Sequence, residues 1–110
     1  MIFAWDDANR GHLAKHGVTS REARFVVENA APPFPQDVGE GKRRVWGPTS
    51  VGRMLQVIYV LKQQDDLAFE SISLSDWVHL QSVPDAKIVR VIHAMDLTRD
   101  MKRQLRRRRR

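Results

Sequence analysis

Two stretches of the chain are apolar at nearly every position, and they constrain the fold more than any other feature. They are RMLQVIYVLK, residues 53–62, and KIVRVIHA, residues 87–94. A strand with one wet face alternates apolar and polar residues, whereas a strand in the middle of a covered sheet is apolar on both faces. Both stretches are therefore predicted to be central strands of one sheet.

Other extended segments place further strands around these two. KRRVW, residues 42–46, and the turn GPTSVG, residues 47–52, predict a hairpin whose second strand is the first apolar stretch. Residues 1–5 alternate enough to predict a short strand. Residues 63–86 contain a possible strand in LAFESISL and a short helical turn around SDWVHL.

A helix is predicted after the first strand, with Asp6 or Asp7 as its cap and Gly17 at its end. At 3.6 residues per turn, one of its faces carries an amide, two imidazoles and a large apolar residue: Asn9, His12, His16 and Leu13. The face with the apolar side chain should turn inward. Its polar side chains are then predicted either to hydrogen-bond inside the protein or to line a cleft.

Two more helices follow from capping residues and apolar spacing. Thr19 and Glu22 have the spacing of a capping box, and apolar residues then recur three and four positions apart at Ala23, Val26, Val27 and Ala30. The stretch APPFPQDVGEG ends this second helix, and Thr98 caps a last helix that runs into the terminal arginines. This order predicts an α+β fold in which two N-terminal helices and one C-terminal helix pack on a small, mainly antiparallel sheet.

Length and composition limit the class of protein. A chain of 110 residues is predicted to be one domain, residues 1–105, followed by a polyarginine tail at 106–110. No apolar run approaches the roughly 20 residues that cross a bilayer, and the N-terminus lacks a basic region followed by an apolar one. We therefore predict a cytoplasmic protein with no membrane partner. Without cysteine, the chain has neither disulfides nor thiolate metal sites.

The positive charge is confined to the end of the chain. Residues 99–110 carry a net charge of +7, whereas residues 1–98 sum to −1. The tail would bind a polyanion with a strong salt dependence. Its candidate nucleic-acid-binding residues are Arg99, Lys102, Arg103, Arg106 and Arg107. The alternative is a solvated tail or a purification tag, but the preceding TRDMKRQL is already basic and favours a native tail.

Several motifs occur here in the order in which one known family has them. F-x-W-D-x-x-N begins at Phe3, KHGV spans residues 15–18, and a capped helix, a proline-containing loop and a strand with Tyr59 follow. VIHA, residues 91–94, then precedes a basic helix. In this combination the chain resembles the BrnT-type toxins, from Phe3 to about Tyr59 and again over residues 90–103.

This resemblance implies a RelE-like fold and a small ribonuclease of a bacterial type II toxin–antitoxin module. It also implies RNA as substrate, no cofactor, a cognate antitoxin protein as partner, and either a homodimer or a toxin–antitoxin hetero-oligomer. Two differences from the family stand out. Met95 lies where the family usually carries an arginine, and residues 63–86 are longer than the family's connection.

The chain contains the residue types that cleave RNA without a metal. Such cleavage needs a base for the 2′-hydroxyl proton, an acid for the leaving 5′-oxygen, and cations for the charge around phosphorus. The candidates for these roles are Lys15, His16, Arg44, Arg53 and His93. If Trp46 pairs with Arg53 across the hairpin turn, then Arg44, Trp46, Arg53 and Tyr59 share one sheet face. The rings of Trp46 and Tyr59 would there stack on unpaired bases.

Each of these residues also has a structural interpretation. His16 could be a cation at a helix C-terminus, Trp46 and Tyr59 could be core residues, and Arg90 could pair with an acidic neighbour. His12 and His16 have the spacing of a metal pair, but no third ligand accompanies them, so no metal site is predicted. Three functions stay open: an endoribonuclease toxin, a noncatalytic nucleic-acid-binding module of the same fold, and a protein partner whose basic tail docks on an acidic surface.

Overall fold

The computed structural model describes residues 1–108 and has an α+β fold, as predicted. In chain order, its strands and helices are β1 (Ile2–Trp5), α1 (Asp7–Ala14), α2 (Ser20–Glu28), β2 (Gln36–Asp37), β3 (Lys42–Pro48), β4 (Met54–Lys62), β5 (Ser71–Ile72), α3 (Leu74–Ser82), β6 (Ile88–Asp96) and α4 (Arg99–Arg108). A short 3₁₀ turn, Gln64–Asp66, follows β4. The strands form one sheet in the order β2-β3-β4-β6-β1-β5.

The sheet is mostly antiparallel, and its centre is where the sequence predicts it. Over the described residues, β1 and β6 form the single parallel pair, and all other neighbouring strands are antiparallel. The strand β4 lies between β3 and β6, and β6 lies between β4 and β1. The prediction that the two apolar stretches are central strands is therefore confirmed.

One face of the sheet is buried over its centre. Val45, Val57 and Val91 are buried there, and they belong to one cluster with Val26 of α2. The backbone of Gly47 lies close to α2, since a Cβ atom at this position would be 3.6 Å from the Val26 side chain. The capping box of Thr19 and Glu22 is present and begins α2 as predicted. This face forms the main core of the protein.

The opposite face of the sheet is only half-buried at its centre. Strand residues alternate between the two faces, and the centre of this second face consists of Arg44, Ile58, Val60, Arg90, His93 and Met95, all of intermediate exposure. We call these residues the open face. Trp46 and Leu105 of α4 are buried toward one end of the sheet, and Leu80 of α3 packs with Ile2, Ala4 and Ile88 at the other. The apolar character of β4 and β6 thus reflects burial on one face and partial exposure on the other.

Residues 63–86 depart most from the sequence-based prediction. The predicted helical turn around SDWVHL is a nine-residue helix, α3, which gives the fold four helices within residues 1–108 instead of three. The possible strand in LAFESISL is reduced to the two residues of β5, which pair with the end of β1. The cap of α3 is Ser73, whose hydroxyl accepts a hydrogen bond from the Asp76 backbone. Serine caps of this kind occur in loops as well as helices, so the pattern alone did not predict the length of α3.

Candidate active site on the open face

Three of the four histidines of the chain meet beside β6. The ring centroids of His16 and His93 are 5.2 Å apart, those of His12 and His93 are 6.0 Å apart, and those of His12 and His16 are 6.5 Å apart. We call these three residues the histidine cluster. His12 and His16 are exposed, whereas His93 is partly buried against the sheet. The cluster therefore brings together two exposed imidazoles and one partly buried imidazole.

A β-bulge places His93 on the open face. Ile58 of β4 lies opposite His93, whereas the next residue, Tyr59, lies opposite Val91, so Ile92 is an extra residue on β6. Bulges of this type redirect side chains and often occur near functional sites. Here the bulge puts Arg44, Ile58 and His93 in one row across three strands. No sequence pattern predicts an extra residue of this kind.

Asn9 holds helix α1 against the sheet and so positions the cluster. Its side-chain amide is buried and donates hydrogen bonds to the carbonyls of Ala4, at 3.3 Å, and Val91, at 3.4 Å. Its Oδ1 accepts a hydrogen bond from the backbone of Asp6, whose carboxylate in turn caps the helix by binding the Asn9 backbone at 2.8 Å. Leu13, one turn later, is fully buried. The inward face of α1 carries a polar residue because Asn9 supplies hydrogen-bond donors to two buried carbonyls, one near the end of β1 and one next to the bulge of β6.

The environment of His93 favours its neutral form. Partial burial lowers the pKa of the His93 imidazole below its usual value, and the nearby charges of His16 and His12 lower it further. A neutral imidazole at neutral pH can accept a proton. The cluster thus pairs one imidazole that favours the neutral form with two exposed imidazoles within ring-contact distance.

Arg44 contributes a cation to the same face. Its guanidinium lies 4.7 Å from the centroid of the Trp46 ring, and its Nη2 donates a hydrogen bond to Gln36 Oε1 at 2.7 Å. Trp46 is buried, and its indole N–H donates to Gln56 Oε1 at 2.9 Å. The Trp46 ring therefore packs and orients Arg44, as a core residue does, and its ring is not an exposed platform for bases.

The predicted pairing of Trp46 with Arg53 is wrong. Trp46 pairs with Gln56, and Arg53 lies in the turn before β4. Tyr59 pairs with Arg43 and is buried, which places it on the opposite face from Arg44. Burial raises the pKa of the Tyr59 hydroxyl despite the opposing effect of Arg43. Of the four residues predicted to share a face, Arg44 and Trp46 do so. Arg53 and Tyr59 do not lie with them, because the register of the hairpin differs from the assumed one.

Arg53 has its donors occupied by structural partners. It makes two hydrogen bonds to the Asp96 carboxylate, at 2.7 and 2.9 Å, and a 2.8 Å bond to the carbonyl of Gly17. Longer contacts of 3.3 Å and 3.4 Å reach the His16 carbonyl and Glu22. Hydrogen bonds to Asp96 are the main reason that the pKa of Arg53 is raised. Arg53 thus joins the α1–α2 turn, which Gly17 closes at φ +65°, to the end of β6.

The other cations considered in the sequence analysis are either exposed or paired with carboxylates. Lys15 is exposed and is the C-cap of α1, directly before His16. Arg90 pairs with Asp6 at 2.9 Å and lies 3.8 Å from Glu70, so the expectation that it pairs with an acidic neighbour is confirmed. The predicted basic residues of α4 are exposed: Arg99, Lys102, Arg103, Arg106 and Arg107. The last two arginines of the tail, 109 and 110, lie outside the described residues.

Sequence reasoning missed part of this site. His12 was predicted to hydrogen-bond inside the protein or to line a cleft and was not among the catalytic candidates, although its ring contacts both other imidazoles of the cluster. The signal for it was present in the sequence, because His12 and His16 are one helical turn apart and lie on one side of α1. Within residues 1–108, no group of three His, Cys, Asp or Glu side chains is arranged to hold a metal ion.

Comparisons with known proteins identify no relative: no family model, no curated protein and no solved structure matches this chain. In the described part of the chain, no helix has the length and apolar character needed to cross a membrane. The case for a function therefore depends on the residues of the open face and on their geometry.

Proposed function

We propose that the chain is a metal-independent endoribonuclease whose active site is the histidine cluster with Arg44. The observation that carries this proposal is the meeting of His12 and His16, at the end of α1, with His93 on the half-exposed sheet face, where His93 shares a row across the strands with Arg44. Cleavage of RNA by general acid and base needs one group that accepts a proton, one that donates a proton and a positive charge near the phosphate, and imidazoles can fill the first two roles. The resemblance to BrnT-type toxins leads to the same activity.

In the proposed reaction, neutral His93 takes the proton of a ribose 2′-hydroxyl. The 2′-oxygen then attacks the adjacent phosphorus, and the bond from phosphorus to the 5′-oxygen breaks. A protonated His16 donates its proton to that leaving oxygen, so the products are a 2′,3′-cyclic phosphate and a free 5′-hydroxyl. Arg44 and Lys15 stabilise the negative charge that collects on the phosphoryl oxygens.

The open face favours single-stranded RNA as the substrate. Ile58, Val60 and Met95 offer a half-exposed apolar surface beside the cations, on which unpaired bases can lie. The exposed cations of α4 add contacts to phosphates without selecting a sequence, and these contacts weaken as salt is added. A cognate antitoxin would inhibit such an enzyme by covering the same half-exposed face.

A noncatalytic nucleic-acid-binding module is the second candidate, and two observations favour it. The donors of Arg53 are engaged by Asp96 and backbone carbonyls, so this cation is committed to the fold. Met95, where the resembled family usually has arginine, lies on the open face opposite Gln56. A module of this kind would bind RNA in a salt-dependent way and leave it intact.

Cleavage of a labelled, largely unstructured RNA in the presence of EDTA tests the proposal. We expect the native chain to yield cyclic-phosphate ends. We expect His93→Gln to lower the rate by roughly 100-fold, in the range that general acid–base groups contribute. His16→Ala should show a loss of similar size, and Arg44→Gln should retain the cyclic-phosphate product at a reduced rate.

The matched control is His79→Gln, since His79 is exposed on α3 and lies outside the cluster. It should cleave at the native rate. Arg53→Ala distinguishes a structural residue from a catalytic one. It should lower the free energy of unfolding, but it should lower the rate of RNA cleavage only slightly at a temperature where the chain stays folded. RNA that remains intact with every variant, but is bound at low salt, would contradict the enzyme and support the binding module.

A further inference from the structure

Helix α3 exposes an apolar face that the rest of the described chain does not cover. Leu74, Trp77 and Val78, spaced as one side of a helix, are 80%, 42% and 59% exposed. A tryptophan exposed beside two aliphatic residues is typical of interaction surfaces. The opposite side of α3 is committed to the fold through Leu80 and Asp76. We call Leu74, Trp77 and Val78 the α3 face.

The segment that carries this face is strongly acidic. Residues 63–86 contain five carboxylates and no lysine or arginine. Two of the five have an arginine as partner, since Asp76 pairs with Arg24 and Glu70 lies near Arg90. The other three, Asp65, Asp66 and Asp85, are exposed. Asp65 and Asp85 together line an open cavity of about 220 Å³ near the C-terminal end of α3, an end where the helix dipole adds negative potential.

The other end of the same chain has the complementary character. Residues 99–110 carry a net charge of +7. Leu105 of α4 is buried in its own molecule and lies near Trp46 of β3 and Met54 of β4. Helix α3 packs on β1, and β6 lies between β4 and β1 in the sheet. The exposed basic residues of α4 therefore lie by strands other than the one on which α3, in the acidic segment, packs.

We propose that the α3 face binds α4 and the arginine tail of a second copy of this chain. The aliphatic parts of arginine side chains cover Leu74 and Val78, a guanidinium stacks on Trp77, and others pair with Asp65, Asp66 and Asp85. Because each copy carries both surfaces, two copies related by a two-fold axis make the contact twice. In this dimer the basic tails are occupied, so the dimer and a polyanion compete for the same residues.

Sedimentation velocity of the full-length chain at low salt, without RNA, tests this contact independently of the proposed ribonuclease activity. We expect a dimer that dissociates when salt is raised. Trp77→Ser, the double variant Asp65→Lys with Asp85→Lys, and a chain that ends at Leu105 should each raise the dimer Kd at least tenfold. Val51→Ser is the matched control, since Val51 is 85% exposed in the β3–β4 turn and outside the α3 face; it should dimerise as the native chain does.

A mixing experiment identifies the two surfaces as partners. The Asp65→Lys, Asp85→Lys chain keeps its tail but loses the acidic surface, and the chain ending at Leu105 has the reverse defect. Neither should dimerise alone, but a mixture should form a heterodimer through the one intact contact. A monomer at low salt would overturn the proposal. So would a dimer that Trp77→Ser disrupts but tail removal does not, because that result means that two α3 faces bind each other.

Discussion

The Arg24–Asp76 pair and the histidine cluster are both polar groups where helices meet β1 or β6, but their surroundings differ. Asp76 is buried and accepts hydrogen bonds from Arg24 Nη1 at 2.7 Å, Arg24 Nη2 at 2.9 Å and the Phe3 backbone at 3.1 Å. The imidazoles of the cluster contact one another, and two of them face solvent. The first group is saturated by the fold, and the second keeps capacity for a ligand.

The electrostatics of the two groups express the same difference. Burial raises the pKa of Asp76, but the hydrogen bonds and charge of Arg24 outweigh it, and the carboxyl titrates below its usual range. Burial and the neighbouring imidazoles both lower the pKa of His93, and the described residues include no carboxylate that opposes them. A charge whose partners are provided stabilises the fold, whereas a group that is left without a counter-charge favours a role with an external ligand.

The largest expected effect on stability is at the saturated pair. Asp76→Asn should lower the free energy of unfolding by about 3 kcal/mol, because it removes the buried carboxylate charge that binds both terminal nitrogens of Arg24 and leaves Glu28 as the charged partner of that cation. Urea denaturation followed by circular dichroism measures this loss. Asp65→Asn, at an exposed carboxylate, is the control and should change stability by less than about 0.5 kcal/mol. If the two substitutions lowered the free energy of unfolding equally, the partners of Asp76 would not be what makes it important for stability.

Asn9 holds the helix beside which the histidine cluster forms, and its loss should affect both stability and activity. Asn9→Ala leaves the carbonyls of Ala4 and Val91 without their side-chain donor and should cost about 2 kcal/mol of stability. It should also lower RNA cleavage at a temperature where the variant is folded, because α1 then no longer holds His12 and His16 in place. Leu13→Ala is the comparison, because it removes apolar contacts from the same helix but keeps the hydrogen bonds of Asn9. It tests whether cleavage depends on where α1 is held or only on how stable α1 is. A rate unchanged in both variants would contradict this positioning role.

A smaller effect is expected at the start of α2. Thr19→Ala removes the hydroxyl that accepts the Glu22 backbone hydrogen bond at 3.1 Å and should lower stability by about 1 kcal/mol. Thermal unfolding measures the change. Since Thr19 contacts none of the imidazoles, cleavage per folded molecule should equal that of the native chain, and Thr19→Ser should restore most of the stability.

The smallest predicted effect is a pH dependence of stability that comes from His93. The unfolded imidazole has a pKa of about 6.5, and the folded pKa is lower, so the unfolded chain binds the proton first as pH falls. Stability from this group is complete above that unfolded pKa and declines as pH falls through the folded pKa. His93→Gln should flatten this part of the stability profile, as urea titrations between pH 7.5 and 5 would show. If the free energy of unfolding of the variant keeps the same dependence on pH, groups other than His93 cause it.

The sequence predicted the elements well where a local signal sets them. The cap of α1, predicted at Asp6 or Asp7 and found at Asp6, the capping box at Thr19 and the apolar stretch of β6 each mark their elements locally. Features that depend on the relation between strands were not predictable. The hairpin register moved Tyr59 to the far face, and the extra residue at Ile92 decides where His93 points. Neither changes the apolar pattern of its strand, so neither leaves a mark in the sequence.

The sequence indicated which residue types form the candidate site better than it indicated how they are arranged. His16, His93 and Arg44 lie on or beside one face, as the chemistry of RNA cleavage requires. Arg53 was predicted as a free cation, but Asp96, far from it in sequence, binds its guanidinium. A charged residue cannot be classed as structural or functional until its partners are known, and those partners are set by tertiary contacts.

The most direct test of this account is an NMR titration that follows the four imidazoles during addition of a 2′-O-methyl oligoribonucleotide. This RNA lacks the 2′-hydroxyl nucleophile, so it can bind but cannot be cleaved. We predict that the resonances of His12, His16 and His93 shift together with a single Kd, while those of His79 on α3 do not move. RNA binding that leaves the resonances of all three imidazoles unchanged would contradict the central claim that the open face is the functional site.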